Sequence, residues 1–204
     1  MSFRLIRPVV VGLLLAPALV TGVANAAPNK LPACAAWSDP AGDATPNGAG
    51  AGADSTLDIT KVTFSVTAKA FTARLAVPGY KDQHTASYGA RFTAEMSIAG
   101  RAVIIYYQYS PTREREAAVF VQQGMSVDGA SISAPVSSKV SGGEVTVSVP
   151  LKDLARAVGE KKLNAATSVS APLAKTRGTY VALLNTFDTA AAPAETSFTF
   201  APCS

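Results

Sequence analysis

From Leu57 to Ala201 apolar and polar positions alternate with a period of two, the mark of strands that bury one face. Phe71, Ala73, Leu75 and Val77 are interleaved with Thr72, Arg74 and Ala76. Tyr88, Ala90, Phe92, Ala94, Met96 and Ile98 are interleaved with Arg91, Thr93, Glu95 and Ser97, and Ala99-Gly100 then turns the chain into a further strand, Ala102 to Tyr109. Ala117 to Gln122 is a short strand, and Val145, Val147 and Val149 make another that stops at Pro150. Leu57 and Ile59 share one parity while Val62, Phe64 and Val66 share the other, so a bulge is expected at Thr60-Lys61. Strands are also expected around Ala165 to Ser170, Tyr180 to Asn185 and Ser197 to Ala201, with hairpin signals at Asp128-Gly129 and Gly142-Gly143. One segment breaks the period: Leu151, Leu154, Ala155 and Val158 follow helical spacing, and Gly159 is placed to cap them. About nine or ten short strands separated by turn residues predict an all-β fold, an antiparallel β-sandwich, jelly-roll-like, with one short helix.

The first 26 residues have a different pattern. Arg4 and Arg7 precede an apolar stretch from Val9 to Val23, and Ala24-Asn25-Ala26 supplies the small residues of a cleavage site. This is the layout of a secretory signal peptide. The competing transmembrane reading is weakened by Pro17 and by a run shorter than the roughly 20 residues that span a bilayer. The expected organisation is a signal peptide over 1–26, a flexible lead carrying Cys34 over 27–38, and a single sandwich domain over 39–204, secreted and extracellular, with no membrane association after cleavage. Asp39 to Asp54, with its Gly48-Ala-Gly-Ala-Gly run, reads as a loop.

Cys34 and Cys203 are the two cysteines of the chain. Export places them where disulfides persist, so a bridge closing nearly the whole domain is expected. Leu31-Pro32-Ala33-Cys34 also has the look of a lipobox, which would lipidate Cys34. It stands away from the apolar part of the leader, however, and that reading leaves Cys203 without its bridge.

Charge and chemistry narrow the function. The formal charge of +4 includes Arg4 and Arg7, so removal of the leader leaves +2 and no basic patch of the kind that tracks nucleic acid. The single histidine, His84, sits in a polar loop, and no nucleophile elbow, phosphate-cradling glycine loop or zinc-type cluster is present. Two features remain. Asp39 and Asp43, followed by Asp58, are carboxylates on and beside a glycine-rich loop, a pattern that suits calcium, which takes six to eight oxygens on a flexible backbone. Aspartates also serve simply to cap turns. In Ile104-Ile105-Tyr106-Tyr107-Gln108-Tyr109, alternation puts Tyr107 and Tyr109 on one face and Tyr106 on the other. Tyr107 and Tyr109 are candidates for stacking on a sugar, although tyrosines also fill strands for their bulk.

The string Asp39-Pro-Ala-Gly-Asp43, followed after a loop by Leu57-Asp-Ile-Thr-Lys-Val-Thr-Phe-Ser-Val66, resembles the start of secreted bacterial β-sandwich modules. It is similar to the C-terminal binding module of glucodextranase and, more loosely, to family 9 carbohydrate-binding modules and DOMON-type domains. Val145 to Leu154 and Asp188-Thr189-Ala190 resemble segments of secreted proteins of high-GC bacteria. The resemblance implies a β-sandwich, structural calcium held by Asp39, Asp43 and Asp58 with Asp188 as a further ligand, and a carbohydrate-associated role. The expected function is therefore a secreted, non-catalytic binding or accessory module whose partner is an extracellular polysaccharide or a cell-surface component. Two alternatives stand beside it: an extracellular hydrolase working with paired carboxylates, and a protein-interaction or structural protein of the cell surface.

Overall fold

The computed structural model describes residues 33–47, 55–81, 88–110, 113–122, 131–132, 135–180 and 185–203. The signal-peptide reading, His84 and the Asp128-Gly129 turn fall outside these residues. In chain order the elements are β1 (Ala35–Ser38), β2 (Thr45–Asn47), a 3-10 turn (Ser55–Leu57), β3 (Lys61–Val66), β4 (Ala70–Ala76), β5 (Tyr88–Ile98), β6 (Arg101–Ser110) and β7 (Arg113–Val121). There follow β8 (Ser131–Ile132), β9 (Ser137–Ser141), β10 (Glu144–Pro150), α1 (Leu151–Ala157), β11 (Ser168–Tyr180), β12 (Asn185–Ala191) and β13 (Ser197–Thr199).

The strands form two antiparallel sheets, and the fold is an all-β sandwich. Sheet A runs β1-β3-β4-β10-β9, and sheet B runs β2-β12-β11-β5-β6-β7-β8, with β13 paired to the first part of β11. The alternating residues meet between the sheets. Phe71, Ala73 and Leu75 of β4 and Val145, Val147 and Val149 of β10 face Phe92, Ala94 and Met96 of β5, and all are buried. Trp37, Phe64 and Phe71 pack edge to face with ring centres 5.3 Å apart, which adds to the burial energy of the rings themselves. α1 packs against β7 and β10 and closes one side of the sandwich with Leu154, Ala155 and the following Val158. Gly159 ends it at φ +73°, as its spacing predicts.

Two hairpin turns hold their register through left-handed backbone. Ala99 and Gly100 have φ +50° and +76°, and Gly142 and Gly143 have φ +59° and +76°. Two positive φ values in a two-residue loop match the right-handed twist of the flanking strands. At Gly143 a side chain is excluded as well, because a Cβ there would lie 2.8 Å from the Cα of Pro78.

Several sequence expectations are corrected. Residues 35–38 are not part of a flexible lead: β1 pairs with β3, and Trp37 is buried opposite Val62. Four residues are too short a run for alternation to stand out beside a loop. Within the expected loop 39–54, Thr45–Asn47 form β2 against β12. The parity switch at Thr60-Lys61 arises because Leu57 belongs to the 3-10 turn and β3 begins only at Lys61. The separate strands expected at 165–170 and 180–185 are replaced by one long β11 ending at Tyr180, with β12 starting at Asn185. β11 escaped the pattern because its core-facing positions are small or polar: Ala174, Thr176 and Gly178.

Cys34 and Cys203 are joined, with their Cα atoms 5.2 Å apart across a separation of 169 residues. The bridge lies beside β3, where the Cys34 amide donates to the Phe64 carbonyl and the Cys203 amide to the Val66 carbonyl. Among the described residues no helix is long and apolar enough to cross a membrane.

Candidate metal centre

The side of the sandwich opposite α1 is where the chain changes sheets. β1 is the edge strand of sheet A, β2 is the edge strand of sheet B, and residues 39–44 connect them. The two sheets touch here through polar groups. The buried Trp37 indole donates from Nε1 to the carbonyl of Ala190 in β12, 3.3 Å away.

The segment 57–59 enters this gap from the chain between the sheets. Leu57 and Ile59 are fully buried, yet their backbone is not part of a ladder. Buried peptide groups without partners are costly, and two side chains on the inner face of sheet B supply them. Thr176 Oγ1 donates to the Leu57 carbonyl at 2.6 Å, and the Ile59 amide donates to Asp188 Oδ2 at 2.5 Å. Thr176 and Asp188 are direct cross-strand neighbours in β11 and β12. The polar residues that hid β11 and β12 from the hydrophobic pattern are therefore the ones that receive this segment.

Asp58, between Leu57 and Ile59, points the other way. Both its oxygens accept the Gly42 amide, at 2.9 and 3.0 Å, which anchors the crossover. Gly42 adopts φ +89°, a conformation that favours glycine. The anchored crossover carries Asp39 and Asp43 to Asp188: one carboxylate oxygen from each of the three lies within 4.8 Å of the others. Asp188 is buried, Asp39 is partly buried and Asp43 is exposed.

This concentration of negative charge has an electrostatic cost. Burial, followed by repulsion from Asp188, Asp43 and Asp58, raises the pKa of Asp39 from 3.8 to about 6. Asp188 is raised too, chiefly by burial; the Ile59 and Thr189 amides work against that rise, and Asp43 and Asp58 add to it. Among the described residues no ion pair reaches these carboxylates. Asp39 Oδ2 is buried and has no hydrogen-bond partner. Either a proton or a cation is needed to offset such a group.

The donor set suits calcium. At Ca–O distances of roughly 2.3–2.6 Å, oxygens on one ion are separated by up to about 5 Å, and the three carboxylates already fall within 4.8 Å. Of the four aspartates expected from the sequence, the structure brings Asp39, Asp43 and Asp188 together and gives Asp58 a supporting position, holding the loop rather than joining the cluster.

The two tyrosines separate. Tyr107 is 1 % exposed and its ring stacks on Phe92 inside the core, at 6.2 Å and 18°. It is not available as a flat solvent-facing platform, because the face of β6 with the parity of Val103 and Ile105 is the inner one. Tyr109, near the end of β6, is half-buried. Tyr106 is on the outer face, where its hydroxyl donates to Glu116 Oε1 at 2.8 Å. Comparison with family models, with curated proteins and with solved structures returns no match for this chain.

Proposed function

We propose that the protein is an exported, non-catalytic β-sandwich module, stabilised by one calcium ion at Asp39, Asp43 and Asp188 and associated with extracellular carbohydrate. The observation that carries the reading is the convergence of three carboxylates from both ends of the domain on one point. They come with a buried, unpartnered Asp39 oxygen and, among the described residues, no ion pair to offset them. A cation there ties the crossover after β1 to β12 and so locks sheet A to sheet B. The disulfide and the export-like leader suit a calcium-rich extracellular setting. The likeness of Asp39-Pro-Ala-Gly-Asp43 to secreted binding modules supplies the carbohydrate association.

Calorimetric titration of the metal-stripped mature chain tests this. One calcium per chain is expected, with binding weakened at least tenfold in Asp43→Asn and a clear preference over magnesium, whose rigid octahedral shell fits an open three-carboxylate site poorly. Absence of calcium binding, or binding indifferent to Asp43→Asn, would remove the site.

The raised Asp39 and Asp188 values also favour a second reading, a hydrolase with these as its paired acids. Against it, both oxygens of Asp188 already accept backbone amides, from Ile59 and Thr189. Turnover of a glycoside, abolished by Asp39→Asn, would decide for the hydrolase.

A further inference from the structure

The outer face of sheet B carries a depression of about 260 Å³, lined by Arg91, Thr93 and Glu95 of β5, Ile104 of β6, and Lys175, Thr176 and Arg177 of β11. Strand alternation places these side chains, apart from the inward-facing Thr176, opposite the core-facing Phe92, Ala94 and Ile105. Its charged side chains therefore lie on the other face of sheet B from Asp188, which faces inward.

Its charge arrangement is unusual for a bare sheet surface. Arg91 and Arg177 are direct partners in the antiparallel register of β5 and β11. Like charges directly opposite one another destabilise a sheet. The neighbouring Lys175 is matched, with its Nζ 2.8 Å from Glu95 Oε2. No carboxylate among the described residues pairs with Arg91. The Arg91 Nε is buried and donates to nothing. An unmade bond at a buried donor is costly.

The guanidinium is also held in place. Its Cζ lies 4.2 Å from the centre of the Tyr106 ring, and Tyr106 is itself fixed by its bond to Glu116. A guanidinium already positioned loses little freedom on binding. Its planar fork matches a carboxylate in two parallel hydrogen bonds.

We propose that this depression binds a sugar acid, with Arg91 and Arg177 clamping its carboxylate. Glu95 and Lys175 offer an acceptor and a donor to ring hydroxyls, and Ile104 supplies an apolar wall. Glu95 also disfavours a multiply charged phosphate. The carboxylate follows from the Arg91 guanidinium, held over Tyr106 and set opposite Arg177 in the register; the sugar rests on the carbohydrate-associated reading above.

The test is titration of the mature chain with D-glucuronate, glucose, acetate and sulfate, in EDTA and in calcium. Glucuronate is expected to bind saturably and equally in both buffers, glucose not at all, and acetate and sulfate more weakly. Arg91→Gln and Arg177→Gln should each weaken glucuronate binding roughly tenfold or more, as expected for a lost charged hydrogen bond, while leaving the melting temperature and the calcium response near wild type. The proposal is overturned if glucuronate does not bind, or if its affinity survives both substitutions together. Sulfate binding as tightly as glucuronate overturns the carboxylate assignment, and acetate binding as tightly overturns the sugar. Equal binding with and without calcium keeps this outcome independent of the aspartate site.

Discussion

The two sides of the sandwich are closed by opposite means. Beside β7 and β10 the gap is filled by α1, whose Leu154, Ala155 and Val158 belong to the apolar core and whose one buried carboxylate, Asp153, is paired with Arg156 at 2.8 Å. Beside β1 and β12 it is filled by polar groups: the Trp37 indole, the Thr176 hydroxyl, and the carboxylates of Asp39, Asp58 and Asp188. Apolar closure works under any solution condition in which water is excluded. Polar closure works only when each charge is met by a hydrogen bond, a proton or a cation. The first side is therefore expected to be constitutive and the second conditional.

The largest test of this contrast is the disulfide beside β1. Cys203→Ser removes a closed loop of 169 residues, worth about 5 kcal/mol on a chain-entropy estimate, an upper figure if the unfolded chain keeps structure. Denaturant unfolding of residues 27–204 would read it. The loss should fall first on β1, seen as early hydrogen exchange of the Trp37 region. Next comes the constitutive side: Leu154→Ala leaves a cavity at a fully buried position and should cost about 2–5 kcal/mol, by the same amount with and without calcium. Asp58→Ala should cost about 1–3 kcal/mol, because it strips a buried acceptor from the Gly42 amide. Unlike Leu154→Ala, it should also weaken calcium binding, by releasing the crossover. A calcium-independent effect of Asp58→Ala would erase the distinction between the two sides.

The pH dependence is smaller and its sign is fixed. Asp39 is raised in the folded state from 3.8 to about 6, so the folded protein holds its proton more tightly than the unfolded chain does. In the absence of metal, the stability linked to this group is fully present below about pH 4 and is lost as pH rises through about 6. Bound calcium should cancel that loss at neutral pH, and calcium affinity should fall as pH drops below about 6. Chemical denaturation across this range in EDTA and in calcium measures both slopes.

The same contrast decides what was legible in the sequence. β4, β5, β6 and β10 follow strict alternation because each buries one whole face against the opposite sheet, and α1 shows its apolar stripe for the same reason. β11 and β12 were obscured because their inner positions, Thr176 and Asp188, serve the backbone of Leu57 and Ile59 instead of filling space. β9 was missed as a strand, though its turn was not, because Ser137–Ser141 is an edge with little to bury. Asp39, Asp43 and Asp58 stood out as carboxylates around a glycine-rich loop, and Asp188 through its resemblance to a known pattern. Spacing could not show that Asp58 faces Gly42, 16 residues away, while Asp188 joins the other two from more than a hundred residues along the chain. Tyr107 and Tyr109 were legible as one face, but which face of β6 is inner was not. Arg91 and Arg177 carried no signal at all, because cross-strand register appears only once β5 and β11 are paired.

Thermal unfolding of residues 27–204 at neutral pH, in EDTA and in saturating calcium, tests the conditional side most directly. A ligand at about 100 times its Kd adds about 2.7 kcal/mol, which for a domain of this size raises Tm by roughly 5–10 °C. That rise is expected in the wild type, the same rise in Leu154→Ala from a lower starting point, and little or none in Asp43→Asn. A wild type whose Tm ignores calcium, or an Asp43→Asn variant that responds as fully as the wild type, would contradict it.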